Sequence, residues 1–257
     1  MKRCPIALIV MVLAVGVGYA HTYSTVEETC PLCGEEFKCE VDRSGTQLDT
    51  RLDLKPLGLI AAPWRVPVCP RCHFVFYDEE IPAEELAKCR SIVQEDAYKK
   101  QSGRASYFLL GLLYEGLKKD PLEIGHVFLK ASWQEEPDEK KLKEDLERSL
   151  KHFEAYLKEP PKPKAASEDE EDEGQPYEVA QILKGELLRR LGRFDEANSH
   201  LAGLQKLEAF QGTFLADIVR FEIDLCSKKD SQPHKVSEAK SAEDKAEDQA
   251  VENEQEP

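Results

Sequence analysis

Two cysteine pairs in near-identical settings carry the strongest chemistry in this 257-residue chain: Cys30-Pro-Leu-Cys33-Gly34 and Cys69-Pro-Arg-Cys72-His73. A Cys-x-x-Cys step lets two thiolates converge on one ion. Two such steps supply the four sulfurs of a tetrahedral structural zinc. The 35 residues between Cys33 and Cys69 exceed the compact spacing of about 15–20 and leave room for a β-rich excursion. The expected metal ligands are Cys30, Cys33, Cys69 and Cys72, and zinc is the expected metal. Cys39, Cys89 and Cys226 are expected outside that shell.

Other chemistries compete for the same residues. Cys69-Pro-Arg-Cys72-His73 matches a c-type haem attachment site, in which His73 would ligate iron. That reading leaves the Cys30 pair without a role. The only methionines, Met1 and Met11, lie in the apolar leader, so no methionine is left to serve as an axial ligand. A rubredoxin-like iron uses the same two-knuckle geometry. Thiol–disulfide exchange needs a thiol of lowered pKa, and neither pair sits in the βαβ context of thioredoxin-like motifs. His-Glu-x-x-His, Gly-x-Ser-x-Gly and a phosphate-binding glycine loop are all missing from the sequence. His126, His152 and His200 are scattered on helical segments, so no catalytic constellation is expected and the protein reads as a non-enzyme.

The first twenty residues have the layout of a secretory signal peptide. Lys2 and Arg3 precede an apolar run from Ile6 to Val17, and Gly18 and Ala20 stand before His21. The run is short for a membrane span, which needs about 20 apolar residues, so cleavage is expected over an anchor. The expected location is periplasmic or secreted, with no later span. Loss of Lys2 and Arg3 takes the net charge from −15 to −17, which argues against nucleic acid as a partner. Export favours disulfides, whereas Cys-x-x-Cys spacing favours a metal; both readings stand.

The cysteines need elements to position them. Residues 21–82 read as a two-knuckle, zinc-ribbon-like module. Phe37–Val41 alternates as a strand, and Ser44-Gly45 reads as a turn. Leu48, Leu52 and Leu54 fall on one face of a second strand. Phe74–Tyr77 reads as a strand leaving the metal site, its aromatics shielding the sulfurs. Trp64 reads as part of that shield or as a core residue. From Pro82 the period becomes helical. Leu86, Cys89, Ile92 and Val93 form one stripe, followed by helices at 105–118, from Asp120-Pro121, and from Asp138. These make a first helical part, 83–158. Residues 159–176 form an acidic, proline-bearing linker. Helices at 177–191, 194–207 and 213–226 follow, with Gly192 as a stop between the first two. Residues 227–257 lack large apolar residues and read as a disordered tail.

Gly185, Leu188, Gly192 and Ala197 resemble a tetratricopeptide helical hairpin, with Leu201 and Leu204 continuing the packing face. Tyr107, Leu110, Gly111 and Tyr114 resemble the first helix of another such unit. The order of knuckles and hairpins resembles the bacterial family called domain of unknown function 2225. Cys30–Gly34, Val68–Phe74, Ala131-Ser132-Trp133 and Gly185–Gly192 carry that resemblance over about 26–226; His73 stands where the family commonly has glycine. It implies zinc binding and a helical-repeat architecture, and no reaction. The expected fold is α+β, a small β-rich module followed by an all-α domain of TPR-like hairpins. The expected role is binding a protein or peptide partner, with a redox or electron-transfer protein as the alternative.

Overall fold

A computed structural model describes residues 21–78, 80–159 and 176–239. The expected signal peptide, most of the linker and the tail from residue 240 lie outside the described residues. The fold is mixed α+β and rich in helix. Strands β1 (Thr22–Thr29) and β2 (Glu36–Ser44) form one antiparallel hairpin. Strands β3 (Thr46–Thr50) and β4 (Pro56–Leu59) form a second. Among the described residues eight α-helices follow: α1 (Ala83–Gln94), α2 (Asp96–Lys99), α3 (Ser106–Leu117), α4 (Pro121–Gln134), α5 (Glu139–Tyr156), α6 (Pro176–Arg190), α7 (Phe194–Leu204) and α8 (Phe214–Ser227). None of the helices among the described residues is long and apolar enough to cross a membrane.

The helix ends follow their chemistry. The Asp120 carboxylate accepts from Leu122 N–H at 2.8 Å, and Pro121 occupies the first helical position. Asp138 caps α5 through Lys141 N–H. Gly192, at φ +73°, closes α6. Arg193 N–H reaches the Leu188 carbonyl and Gly192 N–H the Arg189 carbonyl, both at 2.9 Å, which is a Schellman ending.

From α3 to α8 each helix packs on the next in sequence. Two cores result. One joins Cys30, Cys69, Phe74 and Val75 to α1–α4. The other joins Leu52 to α4–α8. Helix α4 walls both: Ile124, Val127 and Phe128 face the first, and Leu129 and Trp133 the second. The boundaries read at 82 and 158 therefore do not separate cores.

The β-rich excursion departs from its sequence reading in three places. The β3 period stops at Thr50, where Arg51 N–H bonds Lys55 O and Leu54 turns at φ +64°. Leu52 is thus buried while Leu48 is 71% exposed, and the three leucines share no face. Phe74–Tyr77 forms only a bridge, Val75 to Val68. Trp64 is 45% exposed and is no core residue.

The tail reading also needs correction. Residues 228–239 are not structureless. His234 O accepts Leu52 N–H at 2.9 Å, Lys235 bridges Arg51, and Ser237 Oγ donates to Asp49 at 2.6 Å. Polar bonds hold this strap where apolar burial is slight, which composition does not reveal.

Candidate metal centre

Both knuckles fold through the same backbone bonds. Cys30 N–H donates to Glu35 O (2.8 Å) and Gly34 N–H to Cys30 O (2.9 Å). Cys69 N–H donates to Phe74 O, and His73 N–H to Cys69 O, each at 2.9 Å. The residue after each second cysteine is left-handed, Gly34 at φ +73° and His73 at φ +58°. Histidine accepts this conformation at modest strain. Its carbonyl accepts the Tyr98 hydroxyl at 2.8 Å, tying α2 to the second knuckle.

The two turns bring Cys30, Cys33, Cys69 and Cys72 together. Their sulfurs lie within 4.8 Å of one another. The Cys30–Cys72 and Cys33–Cys69 distances are both 3.6 Å. A zinc tetrahedron with bonds of about 2.3 Å has edges near 3.8 Å, so the set fits one ion. Cys30 and Cys69 are buried, whereas Cys33 and Cys72 are half-buried. Glu35 N–H points to the Cys33 sulfur and Phe74 N–H to that of Cys72; such donors favour thiolates. Burial pushes the Cys30 and Cys72 thiols up, a penalty that a bound cation offsets. Phe74 is fully buried beside the site; the Phe76 ring lies tilted 5.5 Å from it and meets Phe37 edge-on at 5.6 Å.

Cys39, Cys89 and Cys226 stand apart from this cluster. Cys39 lies on β2, Cys89 is buried on α1 against the Tyr77 hydroxyl, and Cys226 is buried on α8. His73 is outside the cluster as well. A haem joined to Cys69 and Cys72 would have to separate both sulfurs from the first knuckle, so the haem reading conflicts with this packing.

Sequence reasoning missed a second polar centre. Arg189, wholly buried, donates to Glu186 twice at 2.8 Å and to the carbonyls of Asp230 (2.6 Å) and Gln232 (3.0 Å). Asp53 bridges Arg51 and Arg190, and Glu136 holds Arg51 and Lys55. Glu222 is fully buried with neither carboxylate oxygen hydrogen-bonded. Burial, with Glu186 nearby, raises its pKa well above the usual range; burial likewise pushes Glu186 to about 7. The run Gly185–Gly192 was the available signal. It supplies Glu186, Arg189 and Arg190 from one turn of α6.

A helix-rich α+β fold anchored by a four-thiol cluster defines the class of protein. The chain belongs to the DUF2225 family, described as an uncharacterized protein conserved in bacteria, whose model matches residues 23–226. No curated protein and no solved structure matches it.

Proposed function

We propose that this is an exported, non-enzymatic protein in which zinc fixes the N-terminal module and TPR-like helices offer a surface to a protein partner. The convergence of four thiols carries the reading. Four sulfurs fill a tetrahedral shell, whereas catalytic zinc keeps a position open for water or substrate. The stepwise packing of α3–α8 supports the helical surface. So do two exposed apolar residues at its end, Leu207 and Phe214. Residues 1–20 support export.

Elemental analysis of purified protein, with an absorption spectrum, tests the metal. One zinc per chain supports the reading; iron or haem would replace it with electron transfer. Mass spectrometry from the native host tests export, with a start near His21 expected and a retained leader contradicting it. Crosslinking from Leu207 in the full-length protein tests the surface. A defined partner lost on Leu207→Glu is expected; no partner for the folded protein would leave the helices a purely structural role.

A further inference from the structure

A separate surface lies beside β1. A groove of about 730 Å³ includes Glu28 and Thr29, successive residues on opposite faces of that strand. Their cross-strand neighbours Phe37 and Glu36 do not line it. The groove therefore reaches the outer edge of β1 at the strand's C-terminal end, where a strand added along that edge would meet it. Among the described residues β1 pairs with β2 alone, so this edge presents unpaired N–H and C=O groups. The far wall is apolar, formed by Val66, Phe76, Ile81 and Leu86. The rim is acidic: Glu28, Asp78 and Glu80 line it. Among the described residues that line the groove, Arg65 is the only cation, and it is engaged elsewhere, 2.6 Å from Glu40 and stacked 5.0 Å over the Tyr23 ring.

We propose that the β1 edge takes an extended peptide as a third strand, one that carries lysine or arginine beside apolar residues. Main-chain bonds to β1 would supply affinity. Alternate side chains would meet the apolar wall and the carboxylates, which sets the sequence preference. The groove is distinct from the helical surface, so failure here leaves the proposed function standing.

The test titrates the full-length, metal-loaded protein with labelled peptides of about six residues, the length of an ordinary strand. One alternates valine with lysine, one valine with glutamate, and one is the lysine peptide N-methylated at alternate amides. The lysine peptide should bind at least about tenfold more tightly than the glutamate peptide, and N-methylation should remove binding. The double variant Asp78→Lys/Glu80→Lys should lose about tenfold. A charge-matched control, Glu84→Lys/Glu147→Lys, changes exposed residues outside the groove and should bind as the unmodified protein does. Binding that survives N-methylation overturns the proposal, as does equal affinity for both charges, or no binding by protein shown to be folded. Self-association through β1 that excludes peptide would also overturn it, making a second copy the occupant.

Discussion

Gly185→Ala probes the tightest approach in the helical layer. A Cβ at Gly185 would collide with Leu201 Cδ2 on α7 and lie 2.8 Å from Leu201 Cγ and 3.1 Å from Glu222 Oε2. Alanine is normally favoured over glycine inside a helix by about 1 kcal/mol. Overpacking a close-packed core costs about 1–3 kcal/mol. Leu201 and Glu222 are both fully buried and have little room to move, so the clash should win. The expected result is a net loss of about 1 kcal/mol, and a larger one for Gly185→Leu. Gly203, on α7, has nothing within 4 Å of its own would-be Cβ. Gly203→Ala should therefore stabilise by about 0.5–1 kcal/mol. Leu201→Ala alone should cost about 2–5 kcal/mol through the cavity it opens. With that cavity present, Gly185→Ala no longer clashes, so the double variant should exceed Leu201→Ala in stability. Urea unfolding of the four proteins closes the cycle. Effects that add within about 0.5 kcal/mol, or a Gly185→Ala protein more stable than its parent, would refute the reasoning.

Asp145 is wholly buried beside Arg104 and Glu135; burial, then Glu135, pushes its pKa from 3.8 to about 8. A carboxyl raised in the folded state binds more protons there, so stability should fall as pH climbs from 3.8 towards about 8, by at most about 1.4 kcal/mol per unit. Asp145→Asn should flatten that slope in urea unfolding at pH 5 and 8; an unchanged slope counts against the assignment. Ending the chain at Ser227 strips Arg189 of two carbonyl acceptors and Leu52 of one, and should cost about 3 kcal/mol or more; a truncated protein of full stability would show the strap to be inert. Cys69→Ser should lower bound metal and the thermal midpoint, while Cys226→Ser should keep one metal per chain by elemental analysis.

The knuckles were readable because four ligands came in two local steps, and the long helices because their ends carry Asp120-Pro121, Asp138 and Gly192. Strand β1 escaped notice because two of its three inward positions are Ser24 and Glu28, which hides the period of two. Strand β4 escaped notice because two of its four residues, Pro56 and Gly58, are of types depleted in strands. Pro56 opens an edge strand, where its missing N–H is tolerated. Gly58 sits at φ +138° with a would-be Cβ 2.5 Å from Thr46 O, so the strand itself requires glycine. The four-residue α2 is too short to show a period. The buried ion centre was invisible for another reason. Glu186 and Arg189 look like a surface pair three residues apart, and only partners distant in sequence, Asp53, Glu222 and the 230–232 carbonyls, show that they are interior.

Helix α4 makes the two ends of this protein answer to each other. Its Phe128 belongs to the cysteine core and its Trp133 to the core closed by the strap. A fragment ending before α4 would lose one wall of the cysteine core, and a fragment beginning at α4 would bare the helix's other face to water. Losing the metal should therefore speed amide exchange as far away as α8, and cutting the strap should loosen the grip on the metal.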